Sequence, residues 1–499
     1  MVSPAEVSVP ARGQHRDPVL RDSVVSRVAV VVQALIGAAV VLFPVWQGLI
    51  DSPTAPLLVW MLPALIGGAA LLAALAGARF VFFVLVVLAI RPALDFYGRG
   101  AIGFGTLLGA TFLALTSVWL LSQILTRRRM LSGYPLAVAA LVMALSGILS
   151  TALSDDRATS LPELLRLFVV LAMFVVLERL LRDTANQPRV LLALAVSTVA
   201  PLIVGSLQLL QLGLGGDNRQ LVENRVNATF SHPNSLAMYA ALLLVTGLAL
   251  FPALPRVWRM VGVALLAGLA LLLLGTATRA AWIGAAFGIL VVTWLTRRRL
   301  AVIALAGIAG IAMTPAVRGR FADVFDRKSA EFNAFVGENS LEWRIGHWQR
   351  AIDVSAPRRV TGLGPGIVEA QSVGHKPMHN DYLRAWVEFG GVGVLAYVFL
   401  FGTMIAIVVF AWRRVRTGTE RAVVLAAAGA IGVALVMALT DNLLTQSVVL
   451  WYLAPSVAAA SAIAARPPGD PLPTDPQPVE ESASDPLALV PHSSGEVPA

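Results

Sequence analysis

Histidine, arginine and asparagine gather in a few polar connections of a chain that is otherwise nearly all hydrocarbon. The richest is His379-Asn380-Asp381-Tyr382-Leu383-Arg384, which opens an apolar run. Asn380 or Asp381 makes a good N-cap for a helix starting there, and His379 then lies at that helix's positive end. Such a position disfavours imidazolium, so it offers a neutral imidazole able to accept a proton. The bland alternative, a loop histidine beside a capping residue, stays open. Trp386, Glu388 and Gly390-Gly391-Val392-Gly393 follow. Arg384 and Glu388 are spaced to pair along one helix face.

A second segment, Glu223-Asn224-Arg225-Val226-Asn227-Ala228-Thr229-Phe230-Ser231-His232-Pro233-Asn234, runs directly into another apolar stretch. Proline suits the first turn of a helix and keeps the residue before it out of helical geometry, which puts His232 at or just outside the N-cap. With Arg225 nearby this is an anion site; equally, Ser231, His232 and Asn234 could do no more than cap the helix. A third, Gly275-Thr276-Ala277-Thr278-Arg279-Ala280-Ala281-Trp282, joins two apolar runs. Arg279 there is either a functional cation or a side chain snorkelling to headgroups beside an interfacial Trp282.

The fourth segment, Glu342-Trp343-Arg344-Ile345-Gly346-His347-Trp348-Gln349-Arg350-Ala351-Ile352, forms an imperfect helical stripe. Its default meaning is a short amphipathic helix lying on the membrane. Arg344 brings the guanidinium fork that matches a phosphate, although most loop arginines are simply solvated. Thr361-Gly362-Leu363-Gly364-Pro365-Gly366 lacks the Lys-Ser/Thr continuation of a nucleotide phosphate loop and reads as a tight turn. Asp155-Asp156 reads as a solvated connection.

Membrane helices must position these segments. Hydrophobic residues make up 57% of the chain, charged residues 13%, and the mean hydropathy is +0.76, whereas soluble domains are about 25% charged. Apolar runs lie near 28–50, 57–76, 80–97, 101–125, 131–153, 161–181, 189–212, 233–251, 257–275, 280–296, 299–316, 384–411, 421–439 and 446–464. The expected fold is all-α and polytopic with about 12 to 14 transmembrane helices, since a spanning segment satisfies its backbone groups internally. The weakest run is 80–97, interrupted by Arg91-Pro92 and Asp95.

Residues 1–27 form a polar tail carrying Arg12, Arg16, Arg21 and Arg27, expected to be disordered and cytoplasmic; the apolar run after it has no small-residue cleavage site and reads as a retained helix. Residues 28–464 make one membrane domain, and 465–499, rich in Pro, Ser, Asp and Glu, a disordered tail. With the N-terminus inside, Arg127-Arg128-Arg129, Arg297-Arg298-Arg299 and Arg413-Arg414-Arg416 all fall on the cytoplasmic side. The same count puts 213–232, 276–279 and the large loop 317–383 outside, and both termini in the cytoplasm.

Without cysteine, disulfides and thiolate chemistry are excluded. The formal charge of +9 is almost all arginine, the only lysines being Lys328 and Lys376, and no basic soluble face for nucleic acid is visible.

Taken together, Arg225 to Asn234, Thr278-Arg279 with Trp282, Arg344 with Trp348, Gly362-x-Gly-x-Gly366 and His379-Asn380-x-Tyr382-Leu383 through Glu388-x-Gly390 resemble the O-antigen ligase and polymerase family. The resemblance covers roughly residues 220–400, with the first six spans matching only in being apolar. It implies a GT-C-like glycosyltransferase of the bacterial inner membrane that uses neither cofactor nor metal. Its donor would be a polyprenyl-pyrophosphate-linked saccharide, and its acceptor a hydroxyl of a glycan, lipid or protein. On this resemblance Arg225, Arg279 and Arg344 hold the pyrophosphate, and His379 with Asn380 is catalytic. His232, Asn234, Trp348, Tyr382 and Glu388 support them. A reading of another class is a flippase for lipid-linked saccharides, with outer arginines binding headgroups and no chemistry. Flippases tend to carry ionisable residues at mid-membrane, whereas these lie at the outer ends of the spans.

Overall fold

The computed structural model describes residues 80–98, 104–126, 133–213, 225–322, 340–371, 378–444 and 446–466. They form α1 (Phe104–Thr126), α2 (Pro135–Leu153), α3 (Arg157–Leu180), α4 (Gln187–Ser197), α5 (Val199–Gly213), α6 (Pro233–Leu250), α7 (Arg256–Gly275) and α8 (Arg279–Thr296). Next come α9 (Arg298–Ala312), α10 (Pro315–Ala322), α11 (Ser340–Ser355), α12 (Ile367–Gln371), α13 (Asp381–Trp412), α14 (Gly418–Met437) and α15 (Ser447–Ala464). The protein is an all-α polytopic membrane protein. Among the described residues nine helices are long and apolar enough to cross a bilayer, with α4 and α5 counted together as one.

The expected runs 28–50 and 57–76, the tail 1–27 and nearly all of the tail 465–499 lie outside the described residues. Two further runs come out shorter than expected. The stretch 299–316 is divided between α9 and α10, and α1 keeps an apolar core only over Leu108–Gln123. Run 80–97 is an α-helix over 80–90 that tightens into a 3-10 helix over Arg91–Gly98, so Arg91 and Asp95 lie past its last α-helical turn.

Without water between them, membrane helices associate through close packing, which favours small residues at the crossing. Gly284 and Gly288 of α8 are four apart, on the face against α14. A Cβ on Gly288 would lie 2.9 Å from the carbonyl oxygen of Gly429. The centre of the bundle is α6 and α15, where Tyr239, Trp451 and Tyr452 are fully buried. Their polar tips are satisfied internally, as hydrocarbon requires. Trp451 Nε1 donates to the Val169 carbonyl at 3.0 Å, and the Tyr239 and Ser197 hydroxyls are 2.7 Å apart.

The connections expected outside meet at one end of this bundle. Thr229 bonds to Pro92, Arg225 to Thr276, Arg344 to Thr440, and Arg358 to Asp155 and Leu153. The arginine-bearing turns meet at the other. There Arg421 donates to the Leu295 carbonyl and Arg414 to that of Ala464, while buried Glu178 accepts from the first backbone N–H groups of α2 and from Ser461.

Helix α13 is broken near its start. Gly390 has φ 67° and ψ −166°, outside helical geometry, and the freed backbone groups bond to a neighbouring segment. Gly391 N–H donates to the Arg359 carbonyl at 2.7 Å and Val392 N–H to that of Val360 at 3.2 Å; Leu363 and Gly364 N–H donate to the carbonyls of Val387 and Glu388 at 3.0 Å each. The Gly362-x-Gly-x-Gly366 turn is therefore more than a turn, since it is the strip of backbone that repairs the break in α13. All three of its glycines have positive φ.

Candidate active site

Asn380 is the N-cap of α13, its Oδ1 accepting from the Leu383 N–H at 3.0 Å. His379, just before it, has φ 50° and a side chain 22% exposed. Its Nδ1 points at Asp441, 3.7 Å from Oδ1. That is long for a hydrogen bond but close enough for charge attraction, and catalytic contacts often tighten only with substrate bound.

Asp441 sits in the turn between α14 and α15, 4% exposed. Burial alone would raise its carboxyl, but His379 beside it and the N–H of Asn442 outweigh burial and hold it below its ordinary range. It is thus ionised at neutral pH and faces the imidazole. The turn is fixed by Asp381, whose Oδ2 accepts from the N–H groups of Leu443 and Leu444 at 2.8 and 3.0 Å and whose own N–H donates to the Ala438 carbonyl.

The other oxygen of Asp441 accepts from Asn234 Nδ2 at 3.0 Å, and Asn234 Oδ1 accepts from Arg225 Nη2 at 2.9 Å. An amide is the side chain suited to this place, since it gives a donor to a carboxylate and an acceptor to a guanidinium. Arg225 also donates through Nη2 to Thr278 Oγ1 at 2.7 Å and through Nε to the Thr276 carbonyl at 2.7 Å. It therefore ties two connections together. His232 caps α6 as expected, its Nδ1 accepting from the Asn234 N–H at 3.1 Å.

Arg279 begins α8 immediately after the buried N-cap Thr278, at the same end of the bundle, and is partly buried. Trp282, three residues on, donates Nε1 to the Leu273 carbonyl at 2.8 Å and locks the α7–α8 turn, so its ring nitrogen is turned to protein. Arg344 on α11 donates Nη1 to the Thr440 carbonyl at 3.4 Å. Burial lowers its guanidinium from the ordinary value, and the charge of Asp441 counteracts this. Helix α11 packs on α13. Trp348 on the same face donates Nε1 to the Met378 carbonyl at 2.7 Å, holding the residue before His379.

Two of the expected supporting residues lie apart from this line. Tyr382 donates its hydroxyl to the Leu435 carbonyl at 3.0 Å, a packing role inside the bundle. Glu388 pairs with Arg384 at 2.8 Å as its spacing implies, and Arg384 also faces Glu163 at 3.8 Å, beneath the glycine strip. Asp155 and Asp156 are not merely solvated: Asp156 caps α3 through Thr159 and Asp155 pairs with Arg358.

Residues 262–398 match the family model for O-antigen ligase. No curated protein matches the chain. The match supports a glycan-transferring activity of the O-antigen ligase kind. The matched stretch holds Arg279, Arg344, Trp348, His379, Asn380, Tyr382 and Glu388, while Arg225, His232 and Asn234 precede it and Asp441 follows it. The bundle thus completes an O-antigen-ligase-like segment with side chains from both flanks.

Sequence reasoning missed Asp441 and His347. His347 is 6% exposed on the α11 face between Arg344 and Ala351, and burial, Arg350 and His379 lower its imidazole from the ordinary value, keeping it neutral. Its spacing from Arg344 was the available signal. Nothing local marked Asp441.

The amide bridge has a large expected effect. Asn234→Asp sets a second carboxylate against Asp441, where two like charges near 4 Å repel by about 4 kcal/mol at an effective dielectric of 20. Pairing with Arg225 offsets only part of this. Turnover of a lipid-linked donor is expected to fall about 100-fold or more, and wild-type turnover in Asn234→Asp protein would remove the bridge from the site.

Proposed function

We propose that the chain is a membrane glycosyltransferase that moves a saccharide from a polyprenyl-pyrophosphate carrier to an acceptor hydroxyl on the extracytoplasmic face of a bacterial plasma membrane. The observation that carries this reading is the line Arg225–Asn234–Asp441–His379 at the bundle end that also bears Arg279 and Arg344. It joins a cationic patch suited to a departing pyrophosphate to an imidazole suited to an incoming hydroxyl.

His379 takes the acceptor proton at Nε2 while Asp441 steadies the imidazolium through Nδ1. The acceptor oxygen bonds to the anomeric carbon as that carbon's bond to the pyrophosphate oxygen breaks. The charge that develops there is met by guanidinium groups fixed in advance. Arg279 and Arg344 contact the leaving group, and Arg225, with its hydrogen bonds given to protein oxygens, sets the local potential and the loop. Arginine supplies here the charge that a divalent ion supplies elsewhere.

We take the arginine-bearing turns at the opposite end, and both termini with them, as cytoplasmic on the positive-inside bias. The test is transfer by reconstituted protein from a polyprenyl-pyrophosphate-linked saccharide. Wild type is expected to turn over fully in excess chelator. Arg279→Ala and Arg344→Ala are each expected to weaken donor binding about tenfold or more, the loss of one charge-assisted contact. Unchanged donor affinity and turnover in both variants overturns the leaving-group assignment, and donor binding without any turnover in wild type favours a carrier for lipid-linked saccharides. Glycans from a strain lacking the protein separate the two transferase types, single-repeat donors indicating a polymerase and long unattached donor-linked chains a ligase.

A further inference from the structure

The 3-10 helix Arg91–Gly98 lies outside every segment assigned to the site so far, yet it holds the loop from which the site is built. Asp95 Oδ2 accepts from both the backbone N–H of Ser231, at 3.1 Å, and its hydroxyl, at 3.0 Å. Asp95 Oδ1 pairs with Arg91 Nη1 at 2.9 Å, and these side chains are only 11% and 8% exposed. Thr229 Oγ1 donates to the Pro92 carbonyl at 2.7 Å, so the loop is held on both sides of Phe230.

A carboxylate this deeply placed needs a paired cation and hydrogen bonds, and it has both. It also lies against the positive N-terminal end of α6, where negative charge is favoured. Ser231 immediately precedes the cap His232 and lies three positions before Asn234, whose two amide atoms must meet Arg225 and Asp441 together. An error of 1 Å in the turn would break one of those contacts. The polar interruption of the 80–97 run has a use in these terms, as a mount for a loop more than 130 residues away.

We infer that Asp95 is a positioning residue of the donor site: it fixes the Thr229–Ser231 turn, so that Asn234 holds Arg225 and Asp441 in register. The inference rests on the transferase reading above. It does not give Asp95 any contact with substrate.

The experiment compares Asp95→Ala, Asp95→Asn and Ser231→Ala in full-length reconstituted protein, reading donor KM and kcat separately and folded yield by size-exclusion chromatography. Asp95→Ala is expected to raise donor KM about tenfold. Asp95→Asn, which keeps an acceptor for the Ser231 N–H, is expected to stay within about threefold of wild type, and Ser231→Ala, which removes one bond of two, to lie between. A merely structural role lowers the folded fraction and apparent kcat but leaves the KM of the folded fraction alone. Unchanged donor KM in Asp95→Ala, or equal KM increases in the alanine and asparagine variants, overturns the inference. If Asp95→Ala gives no folded protein, Ser231→Ala decides, and an unchanged donor KM there overturns it. Absence of transfer in wild type is a failure of the transferase reading instead, and donor-lipid binding by the same variants then tests the mount, equal affinities overturning it.

Discussion

Replacing His379 by alanine is expected to lower glycan transfer by about 1,000-fold, the scale of a lost general base, in a protein that remains folded and inserted. The fold should tolerate the change, because His379 is partly exposed and its Nδ1 makes no hydrogen bond within normal distance. The capping bond that starts α13 belongs to Asn380 and survives. Asp441→Asn should be almost as damaging, although Asp441 does not touch substrate. Its carboxylate can only accept, and so favours the tautomer with hydrogen on Nδ1 and a free Nε2. An asparagine can donate to Nδ1, which moves the hydrogen to Nε2, the atom that must take the acceptor proton. A fall in kcat of about 100-fold with little change in donor KM is the expected signature of a wrong tautomer. Wild-type turnover in reconstituted His379→Ala protein would end the general-base assignment. Wild-type turnover in Asp441→Asn protein alone would leave the base and remove its partner.

The pair also indicates how far the sequence could be read. His379-Asn380 was legible because capping is local chemistry: a side-chain acceptor, a helix start and the residue before it lie within a few positions. His232-Pro233 was legible for the same reason. Asp441 was not, because Thr440-Asp441-Asn442 looks like any polar stop between two apolar runs, and its partners are Asn234, 207 positions earlier, and His379. Arg91 and Asp95 were seen, but as a blemish in a span, since nothing nearby in sequence tells that a carboxylate will meet the N–H of Ser231. Trp282 looked like a membrane anchor because aromatic residues at helix ends usually are, and Trp348 like part of the stripe of a helix lying on the membrane; which carbonyl an indole N–H meets is decided by packing. Run lengths located most of the helices. They could not show that 384–411 contains a break, as apolar residues continue on both sides of it, nor that 299–316 is divided at Thr314-Pro315.

That break carries the largest expected effect on stability. Gly390→Ala is expected to destabilise the folded protein by about 3 to 5 kcal/mol, combining the strain of a conformation nearly confined to glycine with overpacking of a filled site. The added Cβ would lie 2.4 Å from both the carbonyl carbon and the oxygen of Val360, and 2.6 Å from the Gly362 nitrogen. Backbone cannot swing aside as a flexible side chain would, and this strip is bonded to α13 on both sides of Gly390, through Gly364 N–H to Glu388 and Gly391 N–H to Arg359. Gly402, further along the same helix with nothing within 4 Å of its Cβ position, is the internal control. Gly402→Ala should be neutral or stabilising by about 0.5 to 1 kcal/mol, the ordinary gain of alanine over glycine in a helix. Thermal unfolding in detergent separates the two, and equal midpoints for Gly390→Ala and Gly402→Ala would mean that the 359–364 strip does not hold the break. Activity should follow stability in the first variant, because the loop bearing Arg344 and Trp348 is fastened to α13 both at its His379-Asn380 start and at this break. Forcing the strip off α13 therefore loosens the helix that holds Met378, and with it the aim of His379 at Asp441.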